Sequence, residues 1–388
     1  MKKKIMALLL CLAMTATVLV GCGGGEGSEG GDDKTKVSVF WYDESDVYLS
    51  SVRTELNEEL DALGVDYDNQ YAANDQAKQI DQIKTAIAAG ADVLIVNVVT
   101  SGAPDTAKDI LAVAGDIPVI FFNRAIGTDG SDVEVLNGAA TACFIGTDAP
   151  EAGHMQGKMV GDFVLANYDT IDLNGDGVIS YAMMKGDEAN IEAIFRTQNG
   201  VEDANEVLTA AGKPALKYLD DANAVLTGAG KPALVYFDAS NTAGYQVDQG
   251  GQWSAAAAKE YMDTNFVKYN EANGNMIELV ICNNDGMAEG VVASLQANGY
   301  NTGDGHTVPV FGVDATDNAK ALIADGAMTG TVKQDADGMA AAIAQTVAGI
   351  SGGKAPVDAL AALTDSRFSI ASDCNGKLYV AYAPYTGE

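Results

Sequence analysis

The sequence predicts an α/β protein of two doubly wound lobes, each a parallel sheet covered by helices. Three observations carry that expectation. The chain has 388 residues, past the roughly 250–300 at which a single hydrophobic core stops growing. Short apolar runs alternate with helix-period segments along most of its length. Several of those runs are continuously apolar, as in strands buried on both faces.

Taken in order, Lys2, Lys3 and Lys4 precede an uncharged, mostly apolar run from Ile5 to Val20. These are the n-region and h-region of a secretory signal, and 16 residues fall short of the ~20 that span a bilayer. The run ends in Leu19-Val20-Gly21-Cys22, which resembles a bacterial lipobox, whose cysteine takes a diacylglyceryl group and becomes the first residue. Residues 23–31 are rich in Gly, Ser and Glu and read as a flexible tether. Two acyl chains anchor stably where one does not, so the expected location is the outer face of a cell membrane, held there by lipid alone. Removal of residues 1–21 takes three lysines and no acids, leaving 367 residues and deepening the net charge from −31 to −34.

The body begins with strand-like Val37–Phe40. Leu49, Val52, Leu56, Leu60 and Leu63 then share one helical face, which Gly64 terminates. Buried strands are predicted at Ala91–Asn97 and Ile117–Phe122. The same rhythm recurs at Ile179–Met184, Leu234–Phe237, Leu279–Cys282 and Val308–Val313. An internal repeat interrupts it: residues 204–220 are nearly restated as residues 222–238, each a helix end, a Gly-Lys-Pro turn and a strand start. One fold position cannot hold both, and the second copy, with the more strand-like Leu234-Val-Tyr-Phe237, is expected in the sheet.

Composition excludes several functions. Against 23 Lys+Arg stand 54 Asp+Glu, a surface that repels phosphate backbones, so no nucleic-acid partner is expected. Two histidines argue against histidine catalysis or a multi-histidine metal site. Past the signal and Cys22, the three cysteines Cys143, Cys282 and Cys374 are an odd number at no metal spacing, and the first two read as small core residues. No G-x-S-x-G elbow, Walker loop or H-E-x-x-H is present.

Two constellations remain. Asp172, Asn174, Asp176, Gly177, Val178 and Ser180 match positions 1, 3, 5, 6, 7 and 9 of a calcium loop, but position 12, normally a bidentate Glu, is Met183. Either a carboxylate from elsewhere completes the site or the segment is an acidic turn. The second constellation is a set of polar and aromatic residues after strands: Asp46, Tyr48, Asn123, Glu192, Arg196, Trp253, Asn284, Asp314 and Gln334. Planar carboxylate, amide and guanidinium groups suit the adjacent hydroxyls of a pyranose, and aromatic rings suit its apolar faces.

At these residues the sequence resembles the bacterial galactose/glucose-binding proteins, sugar-binding components of ABC importers with the type I periplasmic-binding-protein fold. The resemblance runs from about Lys36 to Tyr382. It rests on Tyr42-Asp43, Ser51-Val-Arg53, Asn74-Asp-Gln76, Asp81-Gln-Ile83, Pro118–Asn123, Gly146-Thr-Asp148, the acidic loop, Asn283–Ala288, Val310–Ala315 and Gly330-Thr-Val332. It implies that Asp46 meets a sugar hydroxyl and Tyr48, usually Phe, stacks on one ring face. It further implies that one loop supplies Asn190, Glu192 and Arg196, that Trp253 stacks opposite, and that Asn284, Asp314 and the hinge residue Gln334 complete the set. Asn190 stands for a His, Glu192 for an Asp and Gln334 for an Asn. For the acidic loop the resemblance implies a structural calcium, closed by Glu278, with Ser180 in place of a Gln.

The resemblance also implies a three-strand hinge near Thr147-Asp148, Gln334–Ala336 and Tyr379-Val380. The expected organisation is then a signal at 1–21, a linker at 22–35, an N-terminal lobe of 36–147 plus 335–379, and a C-terminal lobe of 148–334 plus 380–388. It implies a non-enzymatic monomer that delivers a glucose- or galactose-type monosaccharide to an ABC permease. An alternative is a sensor feeding a chemoreceptor or receptor kinase. A regulator sharing the fold would need a basic DNA-binding segment where this chain has a signal and tether. An extracellular carbohydrate enzyme would need a carboxylate pair at a scissile bond.

Overall fold

The computed structural model describes residues 34–387 except 211, 213–216 and 219–243. The chain opens with β1 (Lys36–Trp41), whose alternate side chains enter cores on opposite sides of the sheet: Val39 and Trp41 on one, Phe40 on the other. Helix α1 (Val47–Leu63) starts at Asp46, whose carboxylate accepts the Leu49 N–H, and ends at Gly64 with φ 71°. Leu49, Val52, Leu56 and Leu60 are buried as the periodicity predicts, whereas Leu63, the helix's last residue, is 41% exposed.

The alternation continues through β2 (Asp66–Tyr71), α2 (Gln76–Ala88), β3 (Val93–Val96), α3 (Pro104–Ala114), β4 (Val119–Phe122), α4 (Ser131–Asn137) and β5 (Ala142–Gly146). At Thr147-Asp148 the chain crosses to the second lobe. There it forms α5 (Ala149–Ile171), β6 (Ser180–Lys185), α6 (Ile191–Ala210), β7 (Lys217–Tyr218), β8 (Gln246–Val247), α7 (Ala255–Phe266), β9 (Leu279–Cys282), α8 (Asp285–Ala297), β10 (Val310–Asp314), α9 (Asp317–Ala324) and β11 (Gly330–Lys333). It returns through Gln334-Asp335 to α10 (Ala336–Ser351), α11 (Pro356–Leu360), β12 (Phe368–Ile370) and β13 (Lys377–Val380), and ends in β14 (Ala383–Tyr385).

The first sheet has the order β12-β13-β5-β4-β3-β1-β2, the second β14-β11-β10-β9-β6-β7, with β8 also beside β6. Each is parallel except for one edge strand, β12 and β14 respectively. The first two hinge crossings lie where the sequence puts them. The third does not: Tyr379 and Val380 still pair with β12, so the chain changes sheets at Ala381-Tyr382. Of the repeat, the described residues fall in the first copy. The place beside the start of β6 is taken by Lys217–Tyr218 of the first copy, paired to Ser180 and Tyr181. Leu234–Phe237, expected in the sheet, lies outside the described residues.

In the second lobe α5 packs closely on α6. A Cβ at Gly153 or Gly157 would come within 2.5 and 2.6 Å of α6 backbone oxygens, so glycine lets the helices approach. Cys143, Cys282 and Cys374 are buried free thiols. Among the described residues no helix is long and apolar enough to cross a membrane.

Candidate functional site

In open parallel sheets, ligands gather at the carboxyl ends of the strands. Every sequence-selected residue of the cleft lies there. Asp46 and Tyr48 follow β1, Asn123 follows β4, and Asn284 follows β9. Asp314 ends β10, Gln334 follows β11, and Trp253 directly precedes the α7 cap at Ser254. Asn190, Glu192 and Arg196 differ from expectation in one respect: they form the start of α6 rather than a loop. The Asn190 side-chain oxygen accepts the N–H groups of Glu192 and Ala193 at 2.8 and 3.2 Å.

All ten residues line one cavity between the lobes, joined by Tyr42 and Arg124. Sequence reasoning missed those two as lining residues. Both carried a signal, since Arg124 directly follows Asn123 and Tyr42 directly follows the first strand.

Arg196 organises the cavity. Its guanidinium donates to the Asn283 carbonyl at 3.0 Å, Gln334 Oε1 at 2.9 Å and Tyr382 Oη at 3.2 Å. It also stands 3.7 Å from Glu192, 4.0 Å from Asp314 and 5.6 Å from the centre of the Trp253 ring. Burial pushes the Glu192 carboxyl up and the Asp314 carboxyl well up from the ordinary carboxylate range; Arg196 opposes both shifts. Tyr382 Oη donates in turn to Thr147 Oγ1 at 2.8 Å.

Trp253 is held by Asn284, whose amide donates to its carbonyl at 3.3 Å, and by Gly186, where a Cβ would stand 2.1 Å from the indole. Asn123, Trp253 and Asp314 have φ of 57°, 55° and 129°. Such left-handed backbone is strained for non-glycine residues and collects at functional sites.

Four buried polar atoms in this cavity lack a hydrogen-bond partner: Tyr48 Oη, Arg124 Nε, Arg196 Nε and Gln334 Nε2. All can donate, and the carboxylates of Asp46, Glu192 and Asp314 can accept. Unsatisfied buried groups are rare in folded proteins, so four in one place mark a surface completed by a polar ligand. The free volume is about 20 Å³, so a ligand enters by parting the lobes. A larger cavity of about 790 Å³ lies between β2 and α2. It contains one such orphan, Gln82 Oε1, and lies within the first lobe alone.

The acidic loop is separate from the cleft. Glu278 is fully buried, and its two oxygens accept the Asn174 and Ser180 N–H groups at 3.1 and 2.9 Å. Asp172 accepts from Gly175, Asp176 and Gly177, and Asp176 from Val178. Burial, with Asp172 and Asp176 nearby, pushes the Glu278 carboxyl up to about 8. The donor set of carboxylates, the Asn174 amide, the Ser180 hydroxyl and the Val178 carbonyl is all oxygen, the chemistry of a hard cation. As placed, the carboxylates are turned onto loop N–H groups, and among the described residues no three acidic, histidine or cysteine side chains converge as a metal cage. His154 and His306 lie elsewhere, exposed and paired with Asp203 and Glu271.

Residues 37–355 match the family described as a periplasmic binding protein domain. The D-galactose/methyl-galactoside binding periplasmic protein MglB of Haemophilus influenzae is 28% identical over 351 residues, 89% of each chain. An ABC transporter solute binding protein from Clostridium phytofermentans, solved with β-D-glucose, superposes with a TM-score of 0.62 at 20% identity, covering 91% of this chain and 94% of that one. Another from Bacillus halodurans, solved with myo-inositol, gives 0.62 at 21% identity over 92% and 96%. These two likenesses attest the fold. Two lobes, three crossings, a polar cavity between the sheets and the match over most of the length lead to one conclusion: the chain belongs to the periplasmic binding protein domain family, whose members bind solutes and are not enzymes.

Proposed function

We propose that this protein captures a monosaccharide, a pyranose of the glucose or galactose type, between its lobes and delivers it to an ABC permease from the outer face of the membrane, tethered by lipidated Cys22. The observation that carries this reading is the set of four unpartnered donors facing three carboxylates in one cavity. Each hydroxyl of a sugar donates and accepts, so a polyol satisfies both sets at once. Tyr48 and Trp253 supply aromatic surface for the ring's apolar faces. The relationship to a galactose-binding protein supports the sugar class. The lobes contribute complementary halves of the cavity, so the closed arrangement is selected by a ligand that touches both.

Calcium in the acidic loop is part of the proposal. Three acids lie close together, one of them fully buried, and a divalent cation would offset their repulsion. It would be held by Asp172, Asn174, Asp176, Val178, Ser180 and Glu278, and its role would be structural.

The test is calorimetric titration of the purified chain with a panel of hexoses, pentoses and inositol, with and without a chelator. Saturable heat with glucose or galactose supports the reading. Heat with inositol or a pentose alone would replace the sugar class, and no heat with any member would overturn it.

A further inference from the structure

Arg124 follows β4 in the first lobe and is 6% exposed. Its guanidinium lies 4.0 Å from the centre of the Tyr42 ring, and Tyr42 Oη donates to Asp46 Oδ2 at 2.8 Å. One terminal nitrogen, Nη2, donates to the Val99 carbonyl at 3.0 Å and stands 3.7 Å from Asp187 Oδ2. Asp187 follows β6 in the second lobe, in a turn where its other oxygen accepts the Ala189 N–H at 2.9 Å. Among the described residues this is the ion pair that spans the cleft away from the hinge. On its inner side lies the cavity that Arg124 lines with its unpartnered Nε; on its outer side lies a polar cleft mouth of about 510 Å³ that both residues also line.

We propose that Arg124 and Asp187 form a latch that holds the lobes closed over the ligand. The pair exists only when the lobes are together, because its members ride on different sheets. Arg124 is stacked and buried, so it presents its charge in a fixed place and little side-chain freedom is lost when the latch forms. A ligand that meets Arg124 Nε braces the same guanidinium from within, which couples occupancy to closure. The coupling to ligand rests on the sugar-site reading; the latch itself does not.

Two measurements on the purified chain test it, using Asp187→Asn, Arg124→Gln, the double variant, and Lys320→Gln as a control for loss of one exposed charge. Small-angle X-ray scattering without sugar, at low and high sodium chloride, reads closure directly. Asp187→Asn and Arg124→Gln should each enlarge the radius of gyration at low salt, and wild type should approach them at high salt, where the pair is screened. Stopped-flow release of glucose or galactose, followed by tryptophan fluorescence, should be about tenfold faster in Asp187→Asn with association changed less. The double variant should be no worse than the worse single. Asp187 does not line the inner cavity, so Asp187→Asn is the clean arm even where Arg124→Gln disturbs folding. Asp187→Asn indistinguishable from wild type in scattering at both salts, or single effects that add in the double, would overturn the latch. If wild type binds neither sugar, the sugar reading fails and the scattering arm still decides the latch.

Discussion

Replacing Arg196 by Met removes the buried cation while keeping much of its volume. In the wild type that cation has three hydrogen bonds and two carboxylates at 3.7 and 4.0 Å. Each pair is worth about 4 kcal/mol at an effective dielectric of 20, offset by the desolvation of all three groups. Taking away one member leaves Glu192 and Asp314 buried and uncompensated, a change that destabilises by about 3–5 kcal/mol at neutral pH. The pH dependence is fixed in sign. Both carboxyls have folded-state values above the usual range, so the folded state binds protons that the unfolded state has released, and stability falls as pH rises through that window. Without Arg196 the shifts grow, so the gap between variant and wild type should narrow as pH falls. Urea denaturation followed by circular dichroism at neutral and mildly acid pH measures this. A variant within about 0.5 kcal/mol of wild type at neutral pH, the range of ordinary surface changes, would refute the reasoning, as would a gap that widens in acid. Arg196→Lys should fall between, since it keeps charge and loses the planar fork.

Three further outcomes are expected. Gly186→Ala puts a Cβ 2.1 Å from the Trp253 ring; displacing the ring should weaken hexose binding by about 1–3 kcal/mol, read by calorimetry, and unchanged affinity would remove Trp253 from the site. Gly290→Ala puts a Cβ 2.0 Å from the Ala255 carbonyl where α7 meets α8, and should lower the melting temperature through overpacking of the second lobe. For the acidic loop, chelation should lower the melting temperature. The metal-free chain should lose stability as pH rises from the ordinary carboxylate range through about 8, because Glu278 is raised to that value by burial. Calcium affinity should rise with pH over the same window, and Glu278→Gln should abolish both dependences. Equal melting with and without chelator would exclude a structural calcium.

Part of the cleft was legible because several of its residues sit at or just past a continuously apolar run, and those runs are strands. Asn123 after β4 and Asn284 after β9 are examples. Arg124 was not legible because an arginine after a strand reads equally as a surface charge, and only the fold brings the Tyr42 ring to within 4.0 Å of it. The start of α6 was mistaken for a loop because Asn190 is a cap and Glu192 is polar, yet both are buried. The third crossing was misplaced by two residues because pairing, and not hydropathy, keeps Tyr379 and Val380 in the first sheet. The repeat could not be resolved from propensity. Leu234-Val-Tyr-Phe237 is the better strand former but lies outside the described residues, while Lys217–Tyr218 of the first copy pairs with β6.

The hydrogen bonds of Arg196 reach two of the three connections between the lobes, at Gln334 and Tyr382, and Tyr382 reaches the remaining one at Thr147. A side chain in the binding cavity is thereby fastened to every strap on which the lobes swing. Selectivity and resting posture therefore share one set of atoms. Exchanging residues around Arg196 to admit a different solute would also reset how far the empty protein gapes, and with it the fraction of molecules a membrane partner mistakes for loaded ones.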